Sequence, residues 1–194
     1  IGGGDGGAVR ETLKHGAVEE VTLVEIDERV IEASRRFFPS ISSGLDDPRT
    51  KVLVDDGIRH IREAKGVYDV VMIDSTEPVG AAVGLFSHSF YEALYEALTE
   101  DGLIVAQTES PFYNADLIRS THQALRSVFP IVRLYLASIP TYPSGVWSFT
   151  LASKVYDPLQ VDSTRFPELK TRYFTPDIFR GAFYLPRFVE ELTI

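Results

Sequence analysis

The chain opens Ile1-Gly2-Gly3-Gly4-Asp5-Gly6-Gly7, five glycines among seven residues. Glycine at a turn from strand to helix lets the backbone approach a ligand and adopt φ > 0, so the loop suits a nucleoside as well as a plain turn. Glu25 favours the nucleoside. It lies about 20 positions on, at the end of the next apolar run, where a carboxylate accepts hydrogen bonds from ribose hydroxyls. Taken alone it is an ordinary solvated strand end. Asp5 then discriminates among nucleosides. Facing the pyrophosphate of a dinucleotide, it would be repelled by roughly 4 kcal/mol at about 4 Å and an effective dielectric near 20, whereas an ammonium would be attracted by about as much. The expected ligand is a nucleoside bearing an amine, unless Asp5 only caps the next helix.

Acidic residues recur where strands should end. Glu25 and Asp27, Asp55 and Asp56, Asp74 and Glu77, and Glu109 follow four successive apolar runs. Ligands of open α/β sheets sit outside the carboxyl ends of the strands, so this set describes a pocket for positive charge, with about three of the seven facing water as helix caps. Asp74-Ser75-Thr76-Glu77-Pro78-Val79-Gly80 is the segment richest in chemistry. Asp74 ends a strongly apolar strand, and Glu77 is close enough to share one bound amine. Gly80 and Gly84 make the loop through Leu85 a candidate lid. Tyr142 offers an apolar wall and a hydroxyl to an aliphatic diamine, with Trp147 expected in the core. His15, His60, His88 and His122 share no metal-ligand spacing and are expected at the surface or in supporting roles. No metal site is expected, and no nucleophile elbow or Lys-bearing phosphate loop is present.

Positioning these groups takes an alternation of strands and helices. The pattern predicts a helix through Val9 and Leu13 stopped by Gly16, and a strand over 21–26. A helix over 29–38 follows, with Val30, Ala33 and Phe37 on its apolar side and Pro39 at its end. After a polar stretch over 40–47 come a strand over 51–54, a short helix from Asp56-Gly57, and a strand over Tyr68–Ile73. Ser87 caps a helix with Phe90, Leu94 and Leu98 in one stripe, stopped by Gly102 and followed by a strand over 103–106. Asn114 caps a helix reaching Phe129, with Leu117, Thr121, Leu125 and Val128 on one face.

The fold class is therefore α/β, a mostly parallel sheet with helices on both faces. Past Pro130 the runs 131–137 and 146–152 flank the turn-rich 139–145 and predict an antiparallel hairpin at the sheet edge. Short helices are expected after Thr175-Pro176 and after Pro186. Residues 1–153 read as the catalytic domain and 154–194 as a tail packed on it. A glycine loop of this kind normally follows a strand, yet almost nothing precedes it and no Met opens the chain; a missing strand and N-terminal region are expected.

Composition narrows the classes further. The 194 residues are 44% hydrophobic, with mean hydropathy near zero, which fits one globular domain with a sizeable core and excludes disorder. No membrane helix or signal peptide is expected, and the absence of Cys removes disulfides, thiolate metal sites and Cys nucleophiles. A reducing compartment, the cytoplasm, is expected. The net charge of −9 disfavours a nucleic-acid partner and permits cationic small molecules.

The segments GGGDGG (2–7), VEID (24–27), DDG (55–57), DSTEPVG (74–80), AQTES (106–110) and IPTYPSG (139–145) occur in an order and spacing that closely resemble the spermidine synthase family of polyamine aminopropyltransferases. The resemblance covers essentially the whole chain, and the joint presence of GGGDGG and IPTYPSG is highly specific. It implies a methyltransferase-like Rossmann domain, normally preceded by a small β-stranded domain. It also implies transfer of an aminopropyl group from decarboxylated S-adenosylmethionine, a co-substrate, to putrescine or a related polyamine, with no other cofactor. By motif position, Gly3, Asp5, Glu25, Asp56, Gly57 and Ala81 would hold the donor. Asp5 would take its ammonium, Glu25 its ribose, and Asp56 with Gly57 its adenine edge. Asp74 would accept the proton, with Ser75, Thr76, Glu77 and Tyr142 around the acceptor amine.

The family commonly has Asp where this chain has Glu77, and Pro where it has Ala81, which bears on the amine grip and the lid. A homodimer or homotetramer is implied, to which Phe179, Phe183 and Tyr184 would contribute if they do not pack back on the domain. Other acceptors (agmatine, cadaverine, spermidine) share the donor site. A methyltransferase using intact S-adenosylmethionine would bring a carboxylate unfavourably near Asp5. A non-catalytic nucleoside-binding or oligomerisation module remains a third reading, since a chain without the first strand is expected to show little activity or none.

Overall fold

A computed structural model describes residues 1–194 apart from Glu77, with Ala81 described in its backbone only. The expectations placed on Glu77 and on the Ala81 side chain lie outside the described residues.

Helix α1 (Gly7–Thr12) follows the glycine loop, and β1 (Val21–Glu25), α2 (Glu28–Phe37), the single turn α3 (Pro39–Ser42) and β2 (Thr50–Val54) come next. Then follow α4 (Gly57–Glu63), β3 (Tyr68–Ile73), α5 (His88–Ala97), β4 (Leu98–Gln107), α6 (Ala115–Arg126), β5 (Ile131–Ser138) and β6 (Val146–Ser153). The tail adds α7 (Pro176–Ala182) and α8 (Arg187–Glu190).

Strands β1 and β2 pair in parallel, as do β3 and β4, while β6 inserts antiparallel between β4 and β5. Ile1 and Gly2 link the two halves. The Gly2 amide donates to the Val24 carbonyl at 2.9 Å, and the Asp74 amide donates to the Ile1 carbonyl at 2.9 Å. Gly2 and Asp74 form a parallel bridge, so this short segment lies between β1 and β3. The α/β class and the edge hairpin are therefore as the sequence predicts.

The main core packs Ile61 of α4 and Phe90, Tyr91 and Leu94 of α5 against Val71, Ile73 and Ile104. Leu23 meets Val9, Ile31 and Leu45 in a second cluster. On β5, Leu134 packs with Ile118 of α6 and Val189 of α8, while its neighbour Tyr135 points the other way and meets Phe149 and Phe183. Thus Phe183 packs back on β5 through Tyr135, Phe179 meets Phe166, Phe174 and Phe183 of the tail, and Tyr184 is exposed.

Several boundaries and faces differ from expectation. Helix α2 buries Ile31 and Ser34 rather than Val30, Ala33 and Phe37, because only its Ile31 side meets Val9, Leu23 and Leu45; Phe37 is 63% exposed. Residues 40–47 form α3 and a 3-10 turn, not a plain polar stretch, since Leu45 is buried in the same cluster. Helix α1 ends at Thr12, short of Gly16. Helix α5 ends at Ala97, not Gly102: Leu98 already pairs with Tyr68, and an irregularity before Val70–Leu103 absorbs the extra residues. Helix α6 ends at Arg126 and buries Ile118, Thr121, His122 and Leu125; Asn114 makes no side-chain cap bond. His122 is buried in that face, and burial chiefly lowers its pKa to about 4, contrary to the surface expectation. No helix among the described residues is long and apolar enough to cross a membrane.

Candidate active site

Parallel register brings the carboxyl ends of the strands level. Glu25 pairs with Val54, just before Asp55 and Asp56, and Ile73 pairs with Ala106, just before Asp74 and Gln107. A cavity of about 610 Å³ opens there. Asp5, Glu25, Asp56, Asp74 and Glu109 line it, and among the described residues none with a basic side chain does. Gly3, Gly57, Ser75, Thr76 and Tyr142 also line it, so every expected site residue other than Glu77 and Ala81 is brought together.

The glycine loop is shaped by its carboxylate neighbours. A Cβ on Gly2 would collide with the Asp74 carbonyl, and one on Gly3, at φ 67°, would lie 3.0 Å from Asp74 Oδ2. A Cβ on Gly4 would lie 2.7 Å from Glu25 Cγ. The loop is glycine-rich because two acidic side chains rest on it. Glu25 is 8% exposed, and each of its oxygens already accepts a backbone N–H: Gly4 to Oε2 at 3.1 Å and Asp27 to Oε1 at 3.0 Å. Those bonds fix the carboxylate and leave each oxygen a lone pair for a hydroxyl.

Asp5 is exposed, and its Oδ1 accepts the Gly7 N–H at 2.8 Å. Asp56 caps α4 through the Ile58 N–H at 2.8 Å, so its other oxygen is the one available to a ligand. Asp27 and Asp55 have outward roles: Asp27 caps α2 and pairs with Arg29, and Asp55 pairs with Arg59. Asp74 keeps open surface toward the cavity, yet surrounding protein pushes its pKa above the usual carboxylate range, with the Asp5 charge adding to the effect. A carboxylate so placed holds a proton more readily than a solvated one.

The far wall is aromatic. Tyr142 stacks on Trp147 with ring centroids 4.0 Å apart and planes 23° from parallel. Trp147 is buried, as expected for a core residue, and also lines the cavity. The segment Gly80–Phe86, expected as a lid, forms 3-10 turns whose Gly84 lies against Ile58. Apolar Ile26, Val30 and Leu85 line the same end.

Two polar lining residues, Gln107 and Glu109, have no assigned role in the strand-end pattern. Gln107 was passed over because the strand-end argument counted only carboxylates, although it directly follows Ala106, the partner of Ile73. Glu109 was counted as a strand-end acid but assigned no task. It is 3% exposed and sits at φ 74°, a conformation costing a non-glycine residue roughly 1–2 kcal/mol. The Ser148 amide and hydroxyl both donate to its carbonyl, at 2.9 and 2.8 Å, which holds the residue there. A hollow of about 570 Å³ beside α6 and β5 is less suited to chemistry, since Arg133 is committed to Asp157 and Arg126 to the Thr193 carbonyl. Among the described residues no cluster of His, Asp and Glu could hold a metal ion.

Residues 1–163 match the family model described as the spermine/spermidine synthase domain. A polyamine aminopropyltransferase of Caldicellulosiruptor saccharolyticus is 56% identical over 99% of this chain and 69% of its own length. The polyamine aminopropyltransferase of Bacillus subtilis is 54% identical over 99% of this chain and 70% of its own. Among solved structures, a spermidine synthase in complex with the transition-state analogue AdoDATO superposes with a TM-score of 0.96 at 42% identity, covering 100% of this chain and 67% of that one. The spermidine synthase of Thermotoga maritima gives 0.93 at 42% identity, covering 100% and 66%.

Proposed function

This chain belongs to the spermine/spermidine synthase family, and from that premise we propose that it moves the aminopropyl group of decarboxylated S-adenosylmethionine to putrescine, giving spermidine and methylthioadenosine. The observation that carries the reading is the cavity itself: among the described residues, five with carboxylates and none with a basic side chain line it, at the carboxyl ends of the strands. A cationic sulfonium nucleoside and an aliphatic diamine suit such a lining; a phosphate-bearing dinucleotide does not.

In this reading Glu25 accepts the ribose hydroxyls, Asp56 and Gly57 meet the adenine edge, and Ile26, Val30 and Leu85 cover its faces. Asp5 receives the ammonium of the aminopropyl arm, with Gly3 giving the backbone its close approach. The acceptor chain lies along Tyr142, its reacting nitrogen beside Asp74, Ser75 and Thr76. Glu77 and Ala81, by motif position, complete the amine grip and the lid.

The reaction is an in-line displacement. The amine lone pair attacks the arm carbon bonded to sulfur, the C–S bond breaks, and its electron pair stays on sulfur as a neutral thioether. The amine must first lose a proton. An alkyl ammonium resembles Lys, near 10.4, and an ordinary Asp is near 3.9, a gap of about 6.5 units or ~9 kcal/mol. The sulfonium lowers the ammonium side by like-charge repulsion, and the raised Asp74 narrows the gap from the other side. Asp74 takes the proton as general base. Holding both reactants in line contributes roughly 7–11 kcal/mol more.

Residues 1–153 then act as the catalytic domain and 154–194 as its tail, in a cytoplasmic homodimer or homotetramer. The test is to supply decarboxylated S-adenosylmethionine with putrescine, cadaverine, agmatine and spermidine and weigh the products. Spermidine and methylthioadenosine in equal amounts, with putrescine preferred, are expected. A faster reaction with another amine would overturn the acceptor, and a methylated amine would overturn the reaction.

A further inference from the structure

The Gln107 side chain adds a link between parts of the cavity wall that the β4 backbone joins only through strand pairing. Its Oε1 accepts the Trp147 indole N–H at 3.0 Å, and its Nε2 donates to the carbonyl of Ser75, next to Asp74. An indole N–H is only a donor and a carbonyl only an acceptor, so the amide has one orientation and both its ends are engaged. Trp147 in turn stacks on Tyr142. The chain of contacts runs from the Asp74 segment, through the end of β4, to Trp147 at the start of β6 and Tyr142 in the loop before it.

We propose that Gln107 is a positioning residue that locks the segment following Asp74 to the Trp147–Tyr142 stack, so that base and acceptor wall keep one mutual geometry. The proposal rests on the aminopropyl-transfer reading and adds to it a side chain that need not touch either substrate. No other side chain type does the same work. Glu would face the Ser75 carbonyl with a second acceptor, Met would contact both partners without bonding either, and Asn is shorter by one methylene. Misplacing reacting groups by about 1 Å costs up to roughly a hundredfold in rate, while a donor held by Asp5, Glu25 and Asp56 is indifferent to the shift.

Trp147 is the only tryptophan in the chain, so its emission reports this contact directly. In the intact protein, Gln107→Met is expected to lower kcat by roughly ten- to a hundredfold, leave methylthioadenosine affinity within about twofold by calorimetry, and shift the tryptophan emission. Gln107→Glu is expected to lower kcat similarly with the indole bond and emission retained, and it decides the matter should the Met variant not fold. In a Trp147→Phe background, replacing Gln107 is expected to cost less than in the wild type, because one of its two bonds is already gone. Unchanged kcat in the Glu variant, equal losses of kcat and nucleoside affinity, or strictly additive effects would each overturn the role. If the wild type moves no aminopropyl group, the functional reading fails, and the emission of the Met variant still decides whether Gln107 holds Trp147.

Discussion

Asp74 shows how one carboxylate is prepared by its surroundings. Its backbone is anchored by the Ile1 carbonyl, its side chain lies over Gly3, and partial burial with the Asp5 charge raises its pKa. A base must be ionised to work, so activity should fall as pH drops through this raised value. The acid limb of kcat/KM against pH is expected above the ordinary Asp pKa of about 3.9, and Asp5→Asn should move it down, because a like charge is removed. An acid limb unmoved in that variant would contradict the coupling. Gly3→Ala places a Cβ against Asp74 Oδ2 at φ 67°. It should cost roughly 1–2 kcal/mol in a thermal melt and lower kcat by at least about tenfold, since the proposed base is displaced. Asp5, Glu25, Asp56, Asp74 and Tyr142, which line the cavity, were all legible as candidates, since acidic strand ends and a loop Tyr are visible in one dimension. Gln107 was not, because its importance lies in two bonds to distant segments.

Elements are positioned by caps and by the sheet. Ser87 is readable as a cap and accepts the Phe90 N–H, Asn114 is expected to cap and makes no such bond, and Asp27, Asp56 and Thr175 each cap a helix the pattern places without naming its cap. The buried face of α2 was misread because Val30, Ala33 and Phe37 carry the apolar side chains, while contact with Val9 and Leu45 selects the Ile31 side. The end of α5 was misread because a strand pairing, Tyr68 with Leu98, outcompetes the helical continuation. The tail is tied down by a pair whose electrostatics make a prediction. Asp157 pairs with Arg133 at 2.5 Å and accepts the Leu159 N–H, and Arg133 holds its pKa below the usual carboxylate range. Its folded pKa is depressed, so its contribution is complete above the unfolded value near 3.9 and lost as pH falls through the folded one. Asp157→Asn should cost about 1–2 kcal/mol in urea unfolding at pH 7, given a half-exposed Arg133, and less at a pH below about 3.9. Equal costs at both pH values would remove the ion pair from the account.

At the scale of the molecule, one surface collects negative charge and the rest folds to hold it there. Like charges gathered in one cavity oppose folding until a cation enters, so a cationic ligand should stabilise the protein beyond its contact area. Methylthioadenosine at about a hundred times its Kd adds roughly 2.7 kcal/mol by mass action. The sulfonium donor, carrying charge into the pocket, should bind more tightly than this neutral product, with a difference that shrinks as salt rises. Equal affinities at low and high salt would argue against the electrostatic design. The most direct measurement of the central claim is single-turnover transfer by Asp74→Asn alongside a donor titration of the same variant. Aminopropyl transfer slower by at least about a thousandfold is expected, with donor affinity within a few-fold of the wild type. Transfer at the wild-type rate would contradict that claim, whatever the affinity.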